Sequence, residues 1–124
     1  MPLLDIRELT KDFGGVRAVD HFSHQLEKGG LYAIIGPNGA GKTTIFNLIT
    51  GIYNPTQGQI FFNGDEITGH VTHQIAQKGI ARTFQNIRLF SEFSVLDNVR
   101  TACHRYAHYS VWEGLFPTPR RGRE

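Results

Sequence analysis

IIGPNGAGKTTIFNL, residues 34–48, places an apolar stretch, a glycine-rich loop and a helix-forming stretch in direct succession. Its central part, GPNGAGKT at 36–43, matches the phosphate-loop pattern G-x-x-x-x-G-K-[ST] in full. Glycines let the backbone turn tightly and approach a phosphate group without a Cβ in the way. Successive N–H groups then form a nest for anions, and the positive end of the following helix adds to it. The stretch therefore predicts a loop that binds the phosphates of a nucleotide.

Two side chains that follow the glycines predict specific contacts. Lys42 can place its ammonium on the β- and γ-phosphates, and the Thr43 hydroxyl can ligate Mg²⁺. From average glycine usage, the bare pattern arises by chance in on the order of one chain per few hundred of this length. The preceding apolar strand and the following helix supply the context that the pattern requires, which makes a chance match a poor explanation.

Length and composition are those of one soluble domain. The chain has 124 residues, a formal net charge of +2 and one cysteine, so no internal disulfide is expected. No apolar run approaches the ~20 residues that span a bilayer, and the N-terminus lacks the pattern of a signal peptide. The arginines near residues 120–123 are interpreted as a solvated tail. Without a basic stripe and interleaved aromatic residues, no nucleic-acid partner is expected.

Strands are predicted on both sides of the phosphate loop. Alternating apolar residues favour strands over 3–13 and over 21–30, the second ending at Gly29-Gly30. LYAIIG at 31–36 is continuously apolar, which is typical of a central parallel strand buried on both faces. Asn63-Gly64 lies between two short extended pieces and predicts a hairpin.

Helices and a last extended stretch are predicted between and after these strands. The helix after the phosphate loop should end at Gly51, and VTHQIAQKG should be a helix that ends at Gly79. Residues 80–85, IARTFQ, return to an extended pattern. Ser94 followed by Asp97 resembles a capping box and predicts a helix over about 95–108.

The residues before the loop narrow the class of nucleotide-binding protein. Small-molecule kinases usually carry the phosphate loop near the N-terminus, whereas 35 residues precede Gly36 here. A GTPase needs an N-K-x-D element to read guanine, and the sequence contains none. Phe13, in KDFGGVRAVD, is placed by sequence to stack on adenine. The alternative for Phe13 alone is an ordinary core aromatic residue.

The order of these elements resembles the N-terminal half of an ABC transporter ATP-binding subunit. The similar stretches are DFGGVRAV, GPNGAGKTT, ITGIYNPTQGQIFFNGDEIT and GIARTFQ. GIARTFQNIRLFSEFSVLDNV resembles the branched-chain amino acid importer ATPases more closely, specifically the longer of their two ATP-binding subunits. The resemblance runs from about residue 4 to the end of the chain. Relatives that carry urea and other small polar solutes share much of it, so the solute remains open at this point.

The resemblance implies a fold and a set of site residues. The fold is α/β, an ABC-type P-loop NTPase with an N-terminal antiparallel β portion and the start of the parallel core sheet. Residues 1–124 correspond to the N-terminal part of one nucleotide-binding domain. Phe13 matches the adenine-stacking aromatic residue, and Gln85 matches the Q-loop glutamine that contacts Mg²⁺, the attacking water and the membrane partner. The phosphate loop corresponds to Gly36, Pro37, Asn38, Gly39, Ala40, Gly41, Lys42, Thr43 and Thr44.

The resemblance also implies cofactors, partners and a location. The cofactors are ATP and Mg²⁺, with Thr43 and Gln85 as the protein contacts of the metal. The partners are membrane permease subunits, reached through the region of Gln85, and a second ATP-binding subunit, identical or different. A solute-binding protein outside the membrane takes part indirectly. The subunit would lie at the cytoplasmic face of the cell membrane and power the uptake of branched-chain amino acids.

Three elements that the family uses for hydrolysis are not found in these residues. The sequence contains no L-S-G-G-Q-like signature, no apolar strand ending in Asp-Glu and no later switch histidine. A glutamate general base is worth roughly 10²–10⁴-fold in rate. The family implies an ATPase, but this chain alone is expected to lack hydrolysis. The alternative is a self-standing nucleotide-binding or regulatory module of this length.

A metal site on the last predicted helix is a weaker hypothesis. His104 and His108 are four residues apart and would share a helix face. Cys103 would point about 100° away from His104 on the same helix. A solvated or partner-facing helix explains these residues better.

Overall fold

The computed structural model describes residues 1–84 and 89–103. They belong to two units, one spanning Met1–Thr83 and the other beginning at Phe84. The first unit contains the strands β1 (Leu4–Phe13), β2 (Val16–Leu26), β3 (Gln57–Phe62) and β4 (Asp65–Glu66) and the helices α1 (Lys42–Ile49) and α2 (Thr72–Lys78). The described part of the second unit contains the helix α3 (Val95–Ala102). No helix in the described residues is long and apolar enough to cross a membrane.

The sheet of the first unit is antiparallel, in the order β2-β1-β3-β4. β1 and β2 form a long hairpin in which Phe13 pairs with Val16 next to the turn and Leu4 pairs with Leu26 at the far end. β3 pairs with the other edge of β1, from Leu4 opposite Phe62 to Thr10 opposite Gln57. Because β1 has a partner on each side, it forms the centre of the sheet. The predicted antiparallel β portion of the fold is thereby confirmed.

An irregularity in β1 bends the hairpin around the core. Glu8 has a φ of 49°, which is uncommon for a residue with a side chain. Ser23 holds this conformation, because its hydroxyl oxygen accepts the Glu8 N–H at 2.9 Å while the hydroxyl donates to the Glu8 carboxylate at 2.8 Å. On the other side, Gly58 has a φ of +93° and lies against the carbonyl oxygens of Arg7 and Glu8, where a Cβ would overlap them. The pairing of β3 with β1 thus depends on a glycine at position 58.

The core lies between the sheet and α1. Ile45 and Leu48 are the buried residues of α1, and they pack with the buried side chains of the sheet. Leu9 and Thr10 in the central strand are fully enclosed, with no exposed surface. The apolar members of this core are Leu4, Ile6, Leu9, Val19, Ile45, Leu48, Ile60 and Ile67.

The turn and helix-end predictions of the first unit are confirmed. α1 ends at Ile49, and Gly51 follows with a φ of +71°. Asn63 and Gly64 both have positive φ, at 52° and 87°, as the two central residues of a type I′ hairpin turn require. α2 ends at Gly79, which has a φ of 119°. The two helix ends and the turn each need residues with positive φ, a conformation that glycine and asparagine adopt at the lowest cost.

The predicted start of α3 is also confirmed. Its N-cap Ser94 accepts a hydrogen bond from the Asp97 N–H at 3.1 Å, and the Ser94 hydroxyl donates to the Asp97 carboxylate at 2.6 Å. The serine therefore satisfies one of the donors that the first turn of a helix leaves free. Residues 104–108, over which the helix was predicted to continue, lie outside the described residues.

One strand prediction is wrong, and the limits of another differ. Residues 31–36 form no strand; Leu31 and Ile35 are 100% and 93% exposed. A parallel strand is held by hydrogen bonds to neighbouring strands, and the described sheet offers no partner to this segment. Residues 80–84, predicted as extended, belong to no strand of this sheet. β2 begins at Val16, before the predicted residue 21, because its first residues pair with the end of β1.

The exposed segment leaves part of the apolar interior open. A cavity of about 210 Å³ borders Gly30 and Tyr32 at the start of this segment. Its apolar lining includes Leu4, Leu26, Ile49, Phe62 and Ile80. Ile34 packs against the core, but residues 31–36 leave this cavity open at its edge. The parallel part of the predicted fold is not formed among the described residues.

Candidate functional site

The predicted phosphate loop forms a tight turn between residue 36 and the start of α1. Gly39 and Gly41 both have a φ of +84°, and the Ala40 N–H donates to the Pro37 carbonyl at 3.2 Å. A Cβ on Gly36 would lie 3.2 Å from the Cβ of Ala40, so the two ends of the loop are close. Residues 37–40 are exposed. The glycines therefore serve the tight turn for which the pattern calls, and the loop is open to a ligand.

The first turn of α1 presents unpaired backbone donors to this loop. Gly41 is the N-cap and makes no side-chain hydrogen bond, and the first turn contains no acidic residue. The first N–H groups of a helix have no partner within it and carry a partial positive charge. The end of α1 is thus suited to an anion. Thr43 is exposed in this turn and Thr44 is half-buried.

Lys42 is held at the loop by the loop's own backbone. Its Nζ donates to the Gly36 carbonyl at 2.5 Å and to the Pro37 carbonyl at 2.6 Å. Both acceptors lie at the beginning of the loop, so the ammonium spans it from the helix side. The positive charge of Lys42 therefore lies within the predicted phosphate loop.

The phosphate loop rests directly on the β1–β2 hairpin through Gly41. A Cβ at this position would overlap the carbonyl oxygen of Ala18 and lie 3.6 Å from a methyl group of Val19. A side chain is therefore excluded twice, by the positive φ and by the approach of β2. This contact fixes the distance between the loop and the strand.

Phe13 lies at the end of the same hairpin. It pairs with Val16, and Ala18 follows two residues later on β2. At a rise of about 3.3 Å per residue, the aromatic residue is about 7 Å along the hairpin from the contact with the phosphate loop. Its side chain is 40% exposed, so a face or an edge of the ring is accessible to a ligand. Phe13 and the contact with the phosphate loop therefore lie near the same end of the hairpin.

A chain of charged groups stiffens the hairpin next to this contact. Arg17 donates to Asp12 at 2.9 Å and to Asp20 at 3.0 Å, and Asp20 also lies 2.7 Å from His21. The hydrogen bonds that Arg17 donates to Asp12 and Asp20 raise the pKa of Arg17, and the contacts with His21 and then with Arg17 lower the pKa of Asp20. These charges compensate one another across the hairpin. Arg17 is thus occupied with the fold of the hairpin, and sequence patterns did not single it out.

A second aromatic residue joins the site without having been predicted. Tyr53 contacts Phe13 edge to face, with ring centroids 5.2 Å apart and an interplanar angle of 76°. It lies in GIYNPTQG, just beyond the end of α1. The sequence could have indicated Tyr53 only by the presence of an aromatic residue in a turn rich in small and polar residues.

Some of the predicted site residues are not described by the structure. Gln85 lies outside the described residues, as do His104 and His108. Cys103 is exposed. Among residues 1–84 and 89–103, no group of three His, Cys, Asp or Glu side chains could hold a metal ion.

Comparison with known proteins places these features in a family. Residues 19–120 match the ABC transporter family. The high-affinity branched-chain amino acid transport ATP-binding protein BraF of Pseudomonas aeruginosa is 48% identical over 118 residues, which cover 95% of this chain and 46% of that protein. The protein LivG of Escherichia coli K12, described in the same words, is 42% identical over the same coverage of both chains. This chain therefore spans about half the length of the curated relatives it matches.

Solved structures share the fold as well. An ATP-binding cassette of an ABC transporter, MJ1267 in its ADP conformation, aligns with a TM-score of 0.75 and 33% identity over 100% of this chain and 48% of its own. A nucleotide-free ATP-binding cassette aligns with a TM-score of 0.68 and 30% identity over 82% of this chain. The family inferred from the phosphate loop and its surroundings is confirmed: the chain belongs to the ABC transporter family.

Proposed function

We propose that this chain is the ATP-binding part of an ABC transporter ATPase subunit that powers the import of branched-chain amino acids. The observation that carries the proposal is the packing of the phosphate loop, through Gly41, on the hairpin that holds Phe13. This packing supports the proposal because it would allow the phosphates to bind at the loop and the base at Phe13, near the same end of the hairpin. The names of the relatives from Pseudomonas and Escherichia support the choice of solute.

The triphosphate would bind at the turn between Gly36 and Thr44. The backbone N–H groups of the loop and the free donors at the start of α1 would bind phosphate oxygens. Lys42 would exchange the carbonyl oxygens of Gly36 and Pro37 for oxygens of the β- and γ-phosphates. The Lys42 ammonium is a charged donor to either partner, and its Coulomb attraction to an anionic phosphate oxygen, which a neutral carbonyl lacks, favours this exchange.

Mg²⁺ fits this arrangement as a companion of the phosphates. It keeps several waters and binds through one or two protein groups and the substrate phosphates, not through a cage made by the protein alone. The exposed hydroxyl of Thr43, in the first turn of α1, suits such a role. The bound ion would neutralise charge that develops on the phosphates. Gln85 is proposed as a further contact of the ion and of water.

The adenine base would stack on Phe13. The base face and the phenyl ring are both flat and apolar, and the accessible part of Phe13 lies at the same hairpin end as the phosphate loop. Since stacking carries no hydrogen-bond code, Phe13 would supply affinity for a base while leaving base selection to other groups.

The proposed transport role implies partners that lie outside this chain. The subunit would pair with a second ATP-binding subunit and dock, through the region around Gln85, on permease subunits at the cytoplasmic face of the membrane. A solute-binding protein would deliver the amino acid to the permease. Urea and other small polar solutes are the alternative cargo, because the ATP-binding subunit does not itself contact the solute.

Replacement of Lys42 by alanine should weaken nucleotide binding severely. The change removes a charged donor aimed at the phosphates, and a hydrogen bond to a charged group is worth about 1.5–3 kcal/mol, roughly ten- to hundredfold in affinity. Isothermal titration calorimetry of the 124-residue chain with Mg-ATP would measure the loss. Lys28→Ala, an exposed lysine outside the loop, is the matched control and should bind as the wild type does. Equal affinities for Lys42→Ala and wild type would refute the phosphate site.

Replacement of Phe13 by alanine should weaken ATP and leave inorganic tripolyphosphate unaffected. Aromatic stacking contributes about 0.5–1.5 kcal/mol beyond area burial, so the dissociation constant for ATP should rise up to about tenfold. Phe13→Tyr keeps the ring and should keep the affinity. Parallel titrations with Mg-ATP and Mg-tripolyphosphate make the comparison; equal losses for both ligands would mean that Phe13 supports the fold and does not hold the base.

Hydrolysis is proposed to require groups beyond these residues. The sequence contains no signature and no apolar strand that ends directly in Asp-Glu, the place from which the family's carboxylate polarises water. The 124-residue chain incubated with Mg-ATP should release phosphate at the rate of a buffer blank. Release above the blank that disappears in Lys42→Ala would contradict the proposal.

A further inference from the structure

The segment that follows α1 is fastened to the end of β1 by three hydrogen bonds. The Lys11 ammonium donates to the Asn54 carbonyl at 2.7 Å. The Asp12 N–H donates to the Thr56 hydroxyl oxygen at 3.0 Å, and the Thr56 N–H donates to the Thr10 carbonyl at 2.8 Å. The segment 53–56 therefore lies against the three residues that precede Phe13.

The beginning of this segment is tied to the end of α1. The N–H groups of Ile52 and Tyr53 both donate to the Asn47 carbonyl, at 2.9 and 3.2 Å. α1 starts at the phosphate loop and ends at these bonds. The backbone of Tyr53 is thus fixed by the same helix whose first turn faces the phosphates.

The side chains around Phe13 restrict where its ring can lie. Tyr53 meets it edge to face at 5.2 Å, a geometry in which the positive edge of one ring lies against the negative face of the other. The Lys11 ammonium lies over the Phe13 ring, 5.1 Å from its centroid, within the range of a cation–π attraction. Tyr53 belongs to the segment 53–56, and Lys11 is held by Asn54 of the same segment. Both neighbours of the Phe13 ring are therefore fixed by this segment.

We propose that Tyr53 is a positioning residue for the nucleotide base: it holds Phe13 in the orientation that stacks on adenine. The proposal rests on the proposed ATP site and deepens it. A half-exposed phenylalanine at a hairpin end would otherwise sample several rotamers, and binding would have to select one of them. With Tyr53 in edge-to-face contact and Lys11 over one face, the ring is held in place before the nucleotide binds, and the base stacks on the part of the ring that these two side chains leave accessible.

The test compares Tyr53→Leu and Tyr53→Phe in the 124-residue chain. Leucine keeps apolar bulk at the position but removes the aromatic ring, whereas phenylalanine keeps the ring and removes only the hydroxyl. Calorimetric titrations with Mg-ATP and with Mg-tripolyphosphate separate an effect on the base from an effect on the loop. Tyr53→Leu should weaken ATP about threefold, in the range that an aromatic pair contributes, and leave tripolyphosphate unchanged. Tyr53→Phe should restore the wild-type affinity for ATP.

A double-mutant comparison shows whether Tyr53 acts through Phe13. Phe13→Ala combined with Tyr53→Leu should bind ATP no more weakly than Phe13→Ala alone, because the ring to be positioned is gone. Additive losses, equal losses for ATP and tripolyphosphate in Tyr53→Leu, or an unchanged ATP affinity in that variant would each overturn the proposal. If Phe13→Ala itself fails to distinguish ATP from tripolyphosphate, the proposed base site fails and this inference falls with it. If Phe13→Ala does distinguish them and Tyr53→Leu does not, only the role of Tyr53 is refuted.

Discussion

The close approach of Gly41 to the Ala18 carbonyl is the constraint on which the candidate site depends. It joins two parts of the chain that are far apart in sequence, the β1–β2 hairpin and the phosphate loop. Any side chain at position 41 would have to push the loop away from β2 and would also strain a backbone with a φ of +84°. Because the loop continues directly into α1, the same contact sets the position of the helix end and of Lys42. The hairpin in turn carries Phe13 at its turn.

The loop and the start of α1 place a positive charge and backbone donors side by side. The glycine N-cap leaves the first donors of α1 to an outside acceptor, and Lys42 is held across the loop by the carbonyls of Gly36 and Pro37. A preorganised charge costs little reorganisation when a phosphate replaces its backbone partners. On the hairpin, Arg17 forms ion pairs with Asp12 and Asp20, so these nearby charges are neutralised within the hairpin itself. The loop therefore presents the hydrogen-bond donors, and the hairpin fixes the position of the loop.

Much of this could be predicted from the sequence, because it depends on local backbone requirements. The phosphate loop, the end of α1 at Gly51 and the turn at Asn63-Gly64 follow from residues that adopt a left-handed conformation at the lowest cost. Residues 31–36 show the limit of such reasoning: an apolar run predicts burial, but a strand forms only beside partners, and the described sheet provides none. Tyr53 could not be predicted, because its contact with Phe13 depends on how the segment after α1 packs against β1. The spacing of residues in the sequence does not indicate this packing.

A crystal structure of the chain with Mg²⁺ and a non-hydrolysable ATP analogue tests the central claim most directly. Phosphate oxygens should lie within hydrogen-bond distance, about 3.2 Å or less, of Lys42 Nζ and of the N–H groups at the start of α1. The adenine ring should stack on Phe13, with Gly41 still against Ala18. A triphosphate bound away from the loop, or a base placed away from the end of the hairpin, would contradict the proposed ATP site.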